Sequence, residues 1–381
     1  MNTTPPVDLF LFTPVTDANY AFALRIFDNI DSASNIFSPL ALIMGLTTIH
    51  LGALGRTNNQ LTDILGTKYE PDDLQRYTDL FDPLYISLRT LLLTNDTHID
   101  RRYLNLANQI SRPISVPNSS SEHRRTRINQ WIGRYSLCRT SGIEGLRPSP
   151  LLYSGNAFSH TLEPADLPPA HALTLVTTCT IHTLWLTPFN PALTYTTPFG
   201  LTIDETVNMM VQTTNANYYT DPNVQLIELP LTDTDCVFGI VLPADQTDAI
   251  EYTINRVPLL TPGALAEYIN NAQQLPVSIH IPRFTLRQHS NLKPILQKLG
   301  LFDMFDHTAQ LHAIAPNTFV EGLVHEAMIV VDEGCTDDYL QTEADLKPEA
   351  TFVANRSFIY YVRYVPDDVL LAYGDYHGHD S

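Results

Sequence analysis

The sequence predicts an α+β fold built as one large domain, and three features predict it. Helical periodicities dominate the early part of the chain. Strand patterns follow one another in the later part. The chain closes on a hairpin pattern: Phe358 to Tyr364, a turn at Pro366–Asp367–Asp368, then Val369 to Tyr373. Helices early and strands late favour α+β over a regular βαβ alternation. The 381 residues, 44% of them hydrophobic, could fill two cores. With no internal repeat and no strong linker, a single domain over 1–381 is expected.

The first helix pattern runs through Ala18–Phe27, with apolar residues at helical spacing. A second begins at Ser38–Pro39, where serine suits the N-cap and proline the first helical position. A third opens at Thr57 and ends at Gly66. Leu104–Ile110 alternates like a strand, and Ile128–Ile132 looks helical. Residues 147–169 hold five prolines and read as a long irregular connection, of the kind that is often functional. Strand patterns follow at Thr174–Leu184, Val237–Leu242 and Val277–Ile281. Another helix is expected from near Ser290 to Gly300.

Charge narrows the function. Lys and Arg number 22 against 41 Asp and Glu, a formal net charge of −19. Such a surface repels nucleic acid, heparin-like polyanions and anionic membranes, so none of these is an expected partner. The four cysteines, Cys138, Cys179, Cys236 and Cys335, form no CxxC pair, and buried or free thiols are expected. No GxSxG, HExxH or GxxxxGK[ST] motif is present, so no catalytic residue, cofactor or metal is assigned. Asp375, His377, His379 and Asp380 are read as a polar tail, and His123–Arg124–Arg125–Arg127 as a solvated helix start. The N-terminus lacks a basic segment followed by an apolar run, so no ordinary signal peptide is expected and the location is read as cytoplasmic or unconventionally exported.

Phe352–Val362 (FVANRSFIYYV) closely resembles the closing motif of the serpin family. Other matches lie in family order along nearly the whole chain: Asn35–Pro39, Leu51–Gly55, Trp185, Pro198–Phe199, Val207–Met210, Leu229–Pro230, Leu242–Pro243, Ile281–Phe284, Asn291–Phe305 and Val324–Ala327. The chain also looks similar to trimmed viral members. The resemblance implies N-terminal helices, a large mixed main sheet, a C-terminal barrel-like sheet pair and a reactive loop within 332–351. It further implies the family's mechanism, in which a protease cuts the loop and the loop inserts as a new central strand, trapping the acyl-enzyme.

By the same resemblance, Thr336 is the hinge threonine. Cys335 stands where a glycine usually precedes it, unless a one-residue gap makes Gly334 that position. Strand side chains alternate, so an inserted Thr336 would bring Asp338, Leu340, Thr342 and Ala344 to the same face. Asp338 would then carry a carboxylate under the sheet, at a cost of about a few kcal/mol unless paired. The loop also looks short. From Cys335 to Phe352 is 17 positions (352 − 335), roughly three fewer than in comparable members, or about 10 Å of reach. Asp345, Leu346 and Lys347 are all scissile candidates.

The family's sheet-opening site holds two serines, an asparagine and a histidine. Ser38 and His325 match, while Ala41 and Thr177 stand at the other two positions, with Trp185 at the top of the third main-sheet strand. Leu106 to Ile128 spans 22 positions (128 − 106), about half what the family uses there, so a helix and an edge strand between 110 and 128 are expected to be lost. The expected function is that of a divergent serpin, impaired or non-inhibitory, acting as a protein-binding scaffold through 147–169 and 337–349. The alternative is a suicide-substrate inhibitor of a serine or cysteine protease.

Overall fold

The computed structural model describes residues 14–30, 34–80, 86–95, 98–116, 126, 129, 172–200, 205–232, 235–243, 262–334 and 346–378. The Ile128–Ile132 helix apart from Asn129, the 147–169 insertion, His123, Arg124, Arg125 and Arg127, Cys138, and Cys335, Thr336, Asp338 and Asp345 lie outside these residues.

Helices α1 (Pro14–Phe27), α2 (Pro39–His50) and α3 (Gly55–Leu65) form where the early periodicity and caps place them, and α4 (Pro71–Leu80) is an additional helix. Ser38 caps α2 as expected: its hydroxyl accepts from the Ala41 amide at 3.1 Å. Every residue of α2 is buried, so its polar Thr47, Thr48 and His50 sit inside the fold. Gly66 ends α3 as the C-cap.

Strands β1 (Asn35–Phe37), β2 (Ile86–Asn95), β3 (Arg112–Val116), β4 (Ala172–His182), β5 (Tyr195–Pro198), β6 (Thr206–Thr220), β7 (Val224–Pro230), β8 (Cys236–Pro243), β9 (Gln273–Pro282), β10 (Phe284–Asn291), β11 (Phe319–Val331), β12 (Ala350–Val353), β13 (Phe358–Tyr364) and β14 (Val369–Tyr376) form two sheets. The main sheet has five strands in the order β10-β11-β4-β2-β3. It is mixed: β11 runs parallel to β4, while β10–β11 and β2–β4 are antiparallel. The second sheet has nine strands. Its long strand β6 joins two parts, pairing β5 and β9 over much of its length but β7 only over Asn217–Thr220. The expected sheet pair is therefore hydrogen-bonded through one strand.

Two expectations are corrected. Leu104–Ile110 is not a strand: helix α5 occupies Arg101–Ala107. Asp100 caps it, accepting from the Arg102 and Tyr103 amides at 2.7 and 3.4 Å. The buried residues are Tyr103 and Ala107, spaced by four, whereas Leu106 is 45% exposed. The alternation of Leu104 and Leu106 was the weaker signal. Second, the edge strand expected to be lost between 110 and 128 is present as β3, which pairs parallel with β2 from Arg112 to Val116. The count failed because it started from α5 as though it were β2. A smaller shift affects the helix expected near Ser290. That residue lies in β10, which ends at Asn291, and α6 (Pro262–Asn271) is followed by α7 (Lys293–Lys298), which opens with proline in its first turn.

The closing hairpin β13–β14 forms as expected and carries a buried charge cluster. Arg363 contacts Glu228 of β7 with Nη2 at 2.8 and 3.0 Å and Nε at 3.1 Å, and Tyr361 donates to the same carboxylate at 3.0 Å. Arg363 also reaches Asp368 at 3.0 Å, where Tyr20 of α1 donates at 2.8 Å. A buried guanidinium needs this many partners to offset its desolvation. The cluster locks hairpin, second sheet and α1 together.

Candidate loop-insertion site

The site is the seam between β4 and β11. These two strands are direct hydrogen-bonded neighbours, in parallel register from Phe319↔Ala172 to Val330↔His182 with one irregularity near Val320. Parallel neighbours can be separated by a strand antiparallel to both, without reversing either. The arriving strand must replace every bond it breaks, because a buried backbone group left unpaired is costly.

Halfway along the seam, the sequence-predicted opening residues come together. His325 on β11 accepts from the Ser38 amide at Nε2, 3.0 Å away, and its Nδ1 lies 2.8 Å from the Thr177 hydroxyl on β4. The Ser38 hydroxyl donates to the Leu371 carbonyl at 2.5 Å. Thr177 therefore supplies the side-chain contact to the ring. Ala41 offers only an amide, to the Ser38 hydroxyl. The imidazole is fully buried, and burial pushes its pKa from 6.5 down to about 3, with contact to Thr177 partly offsetting. It is a neutral ring joining α2, β4 and β11. Beneath it α2 approaches closely: a Cβ on Gly45 would lie 2.6 Å from the Thr177 methyl.

At the top of the seam, Trp185 is buried, edge-on to Phe189 and Phe238 with centroids 5.4 and 5.5 Å away. Its indole Nε1 donates to the Asp332 carbonyl at 2.7 Å. Gly334 follows with φ +65°, and a Cβ there would lie 2.8 Å from the Trp185 ring. Glycine is required twice over, by the left-handed backbone and by the indole. Gly334 is thereby fixed against Trp185.

Five contacts here were not read from the sequence. The Asp332 carboxylate accepts from the Gly334 amide at 2.9 Å and faces His182 Nε2 across the seam at 3.0 and 3.1 Å. Glu333 accepts from the Thr194 hydroxyl at 2.7 Å and lies 3.6 Å from Arg283. The Phe189 amide donates to the Glu333 carbonyl at 3.0 Å. No sequence motif singles out Asp332 or Glu333. Their partners are 150 and 139 residues away, and no local pattern reports such pairs.

Of the scissile candidates, Leu346 is half-buried and Lys347 exposed, on the segment leading into β12. That segment is tied to β9 where the Glu349 amide donates to the Pro276 carbonyl at 2.8 Å. Cys179 and Cys236 are buried free thiols, and burial pushes the Cys179 thiol up to about 12. His377 contacts Asp375 and Ser357 at 3.1 and 3.0 Å. Among the described residues, no group of three or more His, Cys, Asp or Glu is arranged to hold a metal.

A five-stranded mixed sheet, a second nine-stranded sheet and a histidine-centred contact joining α2 to the β4–β11 seam define the α+β architecture. The comparisons agree. The family model described as serpin (serine protease inhibitor) matches residues 155–377. An uncharacterized serpin-like protein of Acanthamoeba polyphaga mimivirus is 31% identical over 376 residues, covering 96% of this chain and 90% of that protein. The leukocyte elastase inhibitor of Sus scrofa is 28% identical, covering 94% and 97%. A tumour-suppressing serpin solved at 2.1 Å superposes with TM-score 0.78 at 19% identity, covering 95% and 98%. Uncleaved ovalbumin gives 0.75 at 18%, covering 95% and 98%. The chain belongs to the serpin family.

Proposed function

We propose that this serpin acts by binding another protein and that insertion of its loop is impaired. One observation supports this above the rest: the β4–β11 seam, zipped along its register, is closed at the top by Asp332 held between His182 and Gly334. An entering strand must break that closure. It must do so while delivering Asp338 to a face where a carboxylate has to be paired or neutralised. The short span from Cys335 to Phe352 adds to the resistance. The binding surfaces assigned to the scaffold are 147–169 and 337–349.

The alternative is a suicide-substrate inhibitor of a serine or cysteine protease, cut at Asp345, Leu346 or Lys347. It is favoured by the direct β4–β11 adjacency, the arrangement an inserting strand needs, and by relatives such as the leukocyte elastase inhibitors. A panel of serine and cysteine proteases, scored for SDS-stable covalent complexes, separates the two readings. Cleavage without a trapped complex, and no rise in melting temperature after cleavage, is the expected result. A trapped complex with a large rise in melting temperature establishes the inhibitor instead.

A further inference from the structure

At the start of α5 lies a hollow of about 520 Å³, within the range that small-molecule clefts occupy. Arg101 and Arg102 line it from the helix, His98 from the chain before it, and His312 and Pro316 from the segment that leads into β11. In a chain with 41 acidic residues against 22 basic ones, two adjacent arginines would ordinarily attract carboxylates. Yet neither arginine has an ion-pair partner among the described residues, and both are exposed. The lining's own carboxylate, Asp100, is occupied by the Arg102 and Tyr103 amides. Those helix-end amides are spent on the cap, so any anion must be held by side chains.

The walls are fixed in place. The Asp100 amide donates to the Ile314 carbonyl at 2.9 Å, tying helix to segment. Tyr103 donates to the Thr48 carbonyl of buried α2 at 2.8 Å. Ile314 is fully buried, and a Cβ on Gly52 would meet it at 2.1 Å. The cationic side chains therefore stand on a rigid floor, which lowers the ordering cost of capturing a ligand.

We propose that this hollow is a binding site for the phosphate group of a small organic phosphate or of free phosphate. Two guanidinium forks can each give paired hydrogen bonds to a phosphate, which has oxygens enough for both and for imidazole besides; a carboxylate has two. The −19 charge of the whole chain repels extended polyanions. A compact dianion bound at one mouth avoids most of that field.

The test titrates the full-length protein with inorganic phosphate and, separately, with adenosine monophosphate, by calorimetry at ionic strength matched with sodium chloride. Saturable binding is expected for one or both. Phosphate alone saturating identifies the free ion; a clear preference for the nucleotide identifies an ester. In an R101Q/R102Q variant binding should weaken at least about tenfold, about 1.4 kcal/mol. Both side chains are exposed, so its melting temperature should match the parent. As a second readout, phosphate should slow phenylglyoxal modification of Arg101 and Arg102, read by peptide mass mapping. No saturable binding with either probe, or undiminished binding in the double variant, overturns the proposal.

Discussion

The Asp332 carboxylate faces His182 Nε2 at 3.0 and 3.1 Å across the parallel seam of the main sheet, and the same carboxylate holds the Gly334 amide. One residue thus bridges the end of β4, the end of β11 and Gly334. Removing it should loosen all three. Asp332→Ala leaves the buried His182 Nε2 and the Gly334 amide without their acceptor, a loss of about 1–3 kcal/mol. The expected outcome is a lower melting temperature and faster loop insertion, read as a rise in thermal stability when the cleaved variant is compared with its intact form. A variant as stable as the parent, and as indifferent to cleavage, removes Asp332 from the closure.

Glu333 makes a second, separable prediction. It accepts from Thr194 at 2.7 Å and is nearly buried, while Arg283, 3.6 Å away, is half exposed and adds little through solvent-screened attraction. The hydrogen bond should therefore matter more than the charge. Glu333→Gln, which keeps an acceptor oxygen, should cost less than about 1 kcal/mol. Glu333→Lys removes the acceptor and sets a cation against Arg283, and should cost about 2–4 kcal/mol. Denaturant unfolding of both variants decides the order. Equal losses would show that charge governs the contact.

The parts of the site legible in the sequence were those carried by short motifs. Asn35–Pro39 announced the cap that places Ser38, and the order of matches put Trp185 at the top of the third main-sheet strand and His325 on the strand that became β11. The closing hairpin was legible because its alternation and turn are local. The unread parts depend on contacts across 139 to 150 residues: His182 with Asp332, and Thr194 with Glu333. Each of those four residues alone is an ordinary polar residue near a strand end. The misreading of Leu104–Ile110 has a different cause. Leu104 and Leu106 mimic a strand, but Tyr103 and Ala107 do the packing, and the Asp100 cap decides the element.

Gly45 and Thr177 form a coupled pair. A Cβ on Gly45 would sit 2.6 Å from the Thr177 methyl and 3.1 Å from Leu175, both on β4. Gly45→Ala should destabilise by about 1–3 kcal/mol through overpacking. Thr177→Ser deletes that methyl yet keeps the hydroxyl that contacts His325. The double variant should therefore recover about half or more of the loss, a coupling measurable by a double-mutant cycle. Additive losses would mean that Leu175, not Thr177, sets the limit.

The last prediction concerns acid. His325 is fully buried, and its folded-state pKa lies near 3 against an ordinary value of 6.5. The unfolded chain therefore takes up a proton below pH 6.5 that the folded chain refuses until about pH 3. The stability contributed by keeping the ring neutral is complete above pH 6.5 and is lost progressively as pH falls toward 3. At pH 5 the loss from this residue should be about 2 kcal/mol. His50 and His280 are also depressed by burial and steepen the same limb. His325→Gln keeps polar groups that can meet the Ser38 amide and the Thr177 hydroxyl but cannot titrate. Its stability at pH 7.5 should be lower than the parent's, and its decline between pH 7 and pH 5 should be shallower by about 2 kcal/mol in urea unfolding. If parent and variant lose stability in parallel over that interval, the ring in the seam is not the group that acid finds.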